Sequence, residues 1–155
     1  MTVKPFLKWV GGKRQLLAEI VPLVPNEFSR YIEPFVGGGA VFFHLSDQIT
    51  AQQIPSVIND INPELVNCYQ MVKTQTDDLI SLLKTHKHDK NYYLDIRNLD
   101  RQKGGLSVLS PLERASRFIR PIRVRSTHQK GHELVLHFCL QLSNFLRTAR
   151  SLVLV

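Results

Sequence analysis

Three consecutive glycines between a β-prone run and a helix-prone run constrain this chain more than any other feature. Tyr31-Ile32-Glu33-Pro34-Phe35-Val36 favours extended backbone, Gly37-Gly38-Gly39 stops it, and Ala40-Val41-Phe42-Phe43-His44-Leu45 opens a helix. Glycine tolerates positive φ and leaves no side chain between the backbone and a ligand. In an open, mostly parallel sheet, ligands bind beyond the carboxyl ends of the strands, where such a turn lies.

The rest of the chain fits that frame. Gly11-Gly12 breaks the chain before a helix-forming stretch that ends ahead of Pro22. Residues 55–59 form a compact candidate strand ending at Asp60. Asn62-Pro63 then supplies an N-cap and a first-turn proline. Leu65, Tyr69, Val72, Leu79 and Leu83 recur at helical spacing and give one apolar face. A polar break at residues 85–90 precedes a helix over residues 92–101, and Gly104-Gly105 make a loop. Ser110-Pro111-Leu112-Glu113 reads as a capping box. Alternation at this spacing predicts βαβ units and a parallel sheet, with too few strands for a complete doubly wound domain.

Asp60 lies 21 residues after Gly39, at the end of the second strand. A carboxylate there can accept both ribose hydroxyls of an adenosine cofactor. The turn is not G-x-G-x-x-G, because Phe42 occupies the third-glycine position counted from Gly37. No pyrophosphate cradle is written, which disfavours a nicotinamide oxidoreductase. S-adenosylmethionine carries no phosphate and suits the pattern better; a structural turn beside a surface Asp is the plain alternative. Upstream, Lys8-Trp9-Val10-Gly11-Gly12-Lys13 offers helix-N-terminal amides and a positive charge to a carboxylate, and Trp9 a π face to a sulfonium. Alone, a core tryptophan followed by a loop explains that motif equally well.

Taken in order, Lys8-Trp9-x-Gly-Gly-Lys13, Glu33-Pro34-Phe35-Val36-Gly37-Gly38-Gly39 and Asn59-Asp60-Ile61-Asn62-Pro63-Glu64-Leu65 closely resemble the Dam-type, GATC-class DNA adenine-N6 methyltransferases. The likeness continues through Tyr92-Tyr93-Leu94-Asp95-Ile96-Arg97 to Glu113-Arg114-Ala115, covering about residues 5–119. It implies an α/β, Rossmann-like methyltransferase fold, here incomplete, with a helical segment after the second strand. It also implies S-adenosylmethionine as cofactor and adenine in double-stranded DNA as methyl acceptor. By position, Trp9, Lys13 and Asp60 match the family's cofactor-contacting residues, and Phe35, Gly37, Gly38 and Gly39 its cofactor turn.

The chain departs from that family in two places. The lone pair of adenine N6 is delocalised into the ring, so acceptors must take its hydrogens while an aromatic ring stacks on the flipped base. The family's Asp-Pro-Pro-Tyr motif does this, but none of the eight prolines here adjoins another. No catalytic residue is therefore assigned, and a binding module that transfers nothing stands as the alternative to an active enzyme. Beyond residue 119 the likeness ends. The expected division is a partial cofactor-binding domain over 1–119 and a divergent basic and apolar tail over 120–155, from a shifted reading frame or rearranged gene end.

Charge follows the same division. Of the net +7, +5 lies in residues 120–155, where Arg120, Arg123, Arg125, Lys130, Arg147 and Arg150 face Glu133 alone. Phosphate contact would use such a cluster, though a fortuitously basic tail is the preferred reading. Leu134, Leu136, Phe138, Leu140 and Leu142 alternate as a strand would. Cys68 and Cys139 read as buried, reduced thiols. The other acidic residues and His44, His86 and His88 show no metal or catalytic spacing and read as solvated or capping groups. No run approaches a membrane span and no signal-peptide anatomy is present, so a cytoplasmic protein is expected; the resemblance implies association with DNA, and a monomer is expected.

Overall fold

The computed structural model describes residues 13–87, 89–119, 139–140, 143–144 and 152–154. Trp9, Gly11, Gly12, His88 and the arginines from 120 to 125 lie outside the described residues.

The chain enters through a 3-10 turn (Lys13–Leu16), a short helix α1 (Leu17–Ile20) and a second 3-10 turn (Val21–Leu23) holding Pro22. Strand β1 (Tyr31–Glu33) leads into the glycine turn, followed by α2 (Ala40–His44) and α3 (Ser46–Ala51). Strand β2 (Ser56–Ile58) is followed by α4 (Pro63–Thr74), α5 (Thr76–Thr85), α6 (Lys90–Asn98), a 3-10 turn (Leu99–Arg101) and α7 (Pro111–Ile119). A third strand, β3 (Leu152–Leu154), completes a parallel sheet of order β1-β2-β3. The register aligns Tyr31 with Ser56 and Leu152, Ile32 with Val57 and Val153, and Glu33 with Ile58 and Leu154.

The caps form as their side chains dictate. Asn62 Oδ1 accepts from the amides of Glu64 (3.0 Å) and Leu65 (3.4 Å), which starts α4. At α7 the box closes both ways: Glu113 Oε2 accepts from the Ser110 amide (2.8 Å), and Ser110 Oγ accepts from the Glu113 amide (3.3 Å). The Ser110 hydroxyl, which also donates to Glu113 Oε2 (2.7 Å), and then the Ser110 amide hold the Glu113 carboxyl below its ordinary pKa. The apolar face from Leu65 to Leu83 is shared by two helices, not one. Gln75 leaves helical geometry (φ −135°, ψ 44°), and the Thr76 hydroxyl donates to the Val72 carbonyl (2.6 Å). Asp77 and Asp78 then favour the positive end of a new helix.

One core joins these elements. Phe42, Phe43, Ile58, Leu65, Tyr69, Val72 and Leu79 are fully or almost fully buried, with Tyr31 and Leu154 packed against them. Each such side chain contributes about 1.5–3 kcal/mol by leaving water. Helix α7 lies along α4 and is tied to it by an Arg114–Glu64 ion pair, by Asn67 Nδ2 donating to the Pro111 carbonyl (2.8 Å), and by Cys68 Sγ lying 3.6 Å from the Ala115 carbonyl. His86, at the end of α5, bridges α6 and α7: its Nδ1 lies 2.7 Å from Tyr92 Oη and its Nε2 2.6 Å from the buried Ser116 Oγ. It is thus a cap that also cross-links three helices.

Residues after 119 reach this core as well. Cys139 is buried in it, and the Ser143 hydroxyl lies 2.6 Å from that of Thr76. Within the alternating 134–142 run, the described residues Cys139 and Leu140 are helical, and the strand lies further on, at Leu152–Leu154. Among the described residues no helix is long and apolar enough to cross a membrane.

Candidate functional site

The carboxyl ends of β1 and β2 form one crest, and the sequence-nominated residues that are described meet there. The ladder runs past the strands proper. Asn59 N–H donates to the Glu33 carbonyl (2.9 Å), and Val36 N–H donates to the Asn59 carbonyl (2.8 Å). The glycine turn therefore starts from a fixed point. Gly37 (φ 50°) and Gly39 (φ 74°) take the left-handed conformation, and Gly39 N–H donates to the Val36 carbonyl (2.8 Å). A Cβ on Gly39 would stand 2.4 Å from Phe43 Cε2 and 2.8 Å from Tyr69 Oη, so both backbone angle and space demand glycine.

Tyr69 is a residue the sequence reading assigned only to packing. Fully buried on α4, it donates its hydroxyl to the Gly37 carbonyl (3.0 Å). Burial raises its phenol well above the usual range, so the hydroxyl stays a donor. Helical periodicity places an aromatic at 69 but says nothing of a bond 32 residues back along the chain.

Asp60 is the second fixed point. Its Oδ2 accepts from the Gly37 amide (2.9 Å) and its Oδ1 from the Asn62 amide (3.0 Å). One carboxylate thus ties the turn after β1 to the start of α4. A carboxylate offers about four acceptor sites, so roughly half of its capacity is left for hydroxyl donors. Asp60 is only half-buried, which keeps those sites within reach of solvent or ligand.

Lys13 has partners that sequence reasoning did not foresee. Its Nζ donates to Glu33 Oε1 (2.6 Å) and to the Phe35 carbonyl (2.6 Å), and Tyr31 Oη donates to Glu33 Oε2 (2.6 Å). Glu33 is buried, so its charge requires these donors. Burial, with Glu33 beside it, pushes the Tyr31 phenol far above its usual range. An ammonium has three protons, and two of those on Lys13 are engaged within the protein. The alternation at Tyr31 and Glu33 was the available signal: both point to the same face of β1.

Two large apolar side chains stand in solvent on this crest. Phe35 is 63% exposed just beyond β1, and Ile61 is 87% exposed just beyond Asp60. Along the chain between them come the glycine turn, with Gly37 half-buried and Gly38 and Gly39 buried, and the half-buried Asp60 carboxylate. A planar aromatic group bearing vicinal hydroxyls matches that set: apolar surface for its ring and acceptors for its hydroxyls. Among the described residues, no group of three or more His, Cys, Asp or Glu is placed to hold a metal ion.

The model of the D12 class of N6 adenine-specific DNA methyltransferases matches residues 9–142. The chain belongs to that family. Among the similar proteins is the type II methyltransferase M1.LlaDCHI of Lactococcus lactis subsp. cremoris, 45% identical over 126 residues, which are 80% of this chain and 42% of the relative. The type II methyltransferase M.MjaIII of Methanocaldococcus jannaschii is 40% identical over 112 residues, 63% of this chain and 38% of the relative. A DNA adenine methylase of Haemophilus influenzae is 43% identical over 77 residues, half of this chain and a quarter of the relative. The chain spans between a quarter and 42% of the length of these relatives.

Proposed function

We propose that this chain is the cofactor-holding part of a Rossmann-like DNA adenine-N6 methyltransferase, with S-adenosylmethionine as donor and adenine in duplex DNA, in a GATC context, as acceptor. The observation that carries the reading is Asp60. Its two amide bonds fix the carboxylate at the crest, and its remaining acceptor sites suit the two ribose hydroxyls. Phe35 and Ile61 would flank the adenine, and the glycine turn would let the rest of the cofactor approach the backbone. Lys13, held by Glu33 and Phe35, would keep one proton for the methionine carboxylate. Trp9 joins this set by sequence position alone.

When bound, the cofactor supplies an electrophilic methyl group. This chain's residues position it; the groups that prepare an adenine amine are not among the 155 residues, since no Asp-Pro-Pro-Tyr run occurs. The chain by itself therefore binds the donor and transfers nothing. Phosphate contact by the tail arginines would add only weak, salt-sensitive DNA affinity.

Incubating the chain with methyl-labelled S-adenosylmethionine and GATC-containing duplex tests both halves of this reading. Cofactor retained by the protein with no label in the DNA is the expected result. Label in the DNA would refute the claim that the missing motif is indispensable, and absence of retained cofactor would refute the binding claim.

A further inference from the structure

The geometry points to Tyr69 as a positioning residue for the cofactor: its buried hydroxyl selects one of two forms open to the glycine turn. The turn is closed by Gly39 N–H donating to the Val36 carbonyl (2.8 Å), which makes Gly37 and Gly38 its two central residues. The closing bond uses neither polar group of the peptide that joins them. That central unit can rotate as a block while the ends of the turn stay in place. Rotation interconverts a form with positive φ at the first central residue and a form with positive φ at both. A side chain at the second place would resist the latter. Here glycine fills both places, so the backbone itself sets almost no preference.

One form is nevertheless chosen. Gly37 is left-handed (φ 50°) and Gly38 is not. In this form the Gly37 carbonyl turns toward the core and accepts from Tyr69 Oη (3.0 Å). The hydroxyl cannot follow a rotating carbonyl. Tyr69 is fully buried on α4, its ring lies against that of Phe43 (centroids 6.4 Å apart), and its oxygen stands 2.8 Å from where a Cβ on Gly39 would be. Asp60 Oδ2 accepts from the Gly37 amide (2.9 Å), but that amide belongs to the preceding peptide. Tyr69 therefore acts on a unit that neither Asp60 nor the closing bond reaches.

In a planar trans peptide the carbonyl and the amide point opposite ways. With the Gly37 carbonyl on Tyr69, the Gly38 amide faces away from that hydroxyl. After rotation an acceptor oxygen stands where this donor stood. S-adenosylmethionine carries a carboxylate, which accepts hydrogen bonds and is repelled by an oxygen put in place of a donor. The rotated form thus binds poorly, and affinity scales with the fraction of chains in the observed form. The inference rests on the cofactor reading of the site, and adds to it a residue too deeply buried to touch the cofactor itself.

Tyr69→Phe keeps the ring and removes the hydroxyl. Calorimetric titration with S-adenosylmethionine should show affinity lowered about three- to tenfold, the weight of one neutral hydrogen bond. Ile80→Val, a small loss of core packing on α5, should lower stability and leave affinity unchanged. Nuclear magnetic resonance of the isotope-labelled chain reads the turn directly. The Gly38 amide should give one sharp signal in the unaltered chain and an exchange-broadened or doubled signal in Tyr69→Phe. Saturating Tyr69→Phe with cofactor should restore a single signal, which a merely structural tyrosine would not produce. Exchange already present in the unaltered chain overturns the inference, and that measurement needs no variant. So does a sharp Gly38 signal or undiminished affinity in Tyr69→Phe, or an equal loss of affinity in Ile80→Val. If the unaltered chain binds S-adenosylmethionine, these results refute this inference alone; if it does not bind, the proposed function falls and this inference with it.

Discussion

The two strand ends at the crest carry one acidic side chain each and use it in opposite ways. At β1 the Glu33 carboxylate is buried and meets Lys13 and Tyr31, so its charge is consumed in holding the structure together. At β2 the Asp60 carboxylate is half-buried, accepts only two backbone amides, and keeps acceptor capacity facing outward. Under the proposed function, the difference makes Glu33 the floor and Asp60 the receptor. Burial decides it: a carboxylate taken out of water must be met by donors from the protein, while one left at the surface can wait for a ligand.

The largest expected effect lies in the turn that joins the two ends. Gly39→Ala forces a Cβ into Phe43 and Tyr69 at a positive φ, and should cost roughly 2–4 kcal/mol in urea unfolding. A near-neutral Gly39→Ala would mean that the turn is not held from beneath as described. Next, Glu33→Gln removes the charge that Lys13 and Tyr31 serve. Because Lys13 is 35% exposed, the loss is discounted to about 1–2 kcal/mol. The same substitution should leave the Asp60 end intact, judged by unchanged exchange of the Gly37 and Asn62 amides.

Alkaline titration sharpens the contrast. The folded state holds the Tyr31 proton well above the ordinary phenol value of 10.0, so only the unfolded chain releases it near that pH. The stabilisation is fully present below pH 10.0 and is lost as pH rises above it, by at most about 1.4 kcal/mol per pH unit. Tyr31→Phe should flatten this alkaline slope in urea-unfolding series, and an unchanged slope would remove Tyr31 from the network. Smallest, Asn62→Ala should cost about 1 kcal/mol by uncapping α4 beside Asp60. No change in the thermal midpoint would show that Asp60 and Pro63 suffice to start the helix.

Much of this arrangement was legible before any coordinates. Gly37, Gly39, Asp60, Asn62 and the Ser110–Glu113 box announce themselves because their roles are local: a backbone angle, a strand end, a cap. The α4–α5 break was obscured because Gln75 is neither glycine nor proline, and the apolar period runs across it. Lys13–Glu33, Tyr69–Gly37 and His86–Ser116 link residues 20 to 32 apart, and no periodicity encodes such distances. Strand β3 was hidden for a related reason. Its apolar run is short, and a better alternating pattern sits just upstream at 134–142.

The central claim is that Asp60 is the receptor and Glu33 the floor, and calorimetric titration of the 155-residue chain with S-adenosylmethionine tests it most directly. Asp60→Ala should weaken binding by roughly 1.5–3 kcal/mol, about ten- to a hundredfold. Glu33→Gln, with its fold verified, should change binding far less. Equal affinity for Asp60→Ala and the unaltered chain, or a greater loss on Glu33→Gln, would contradict the account.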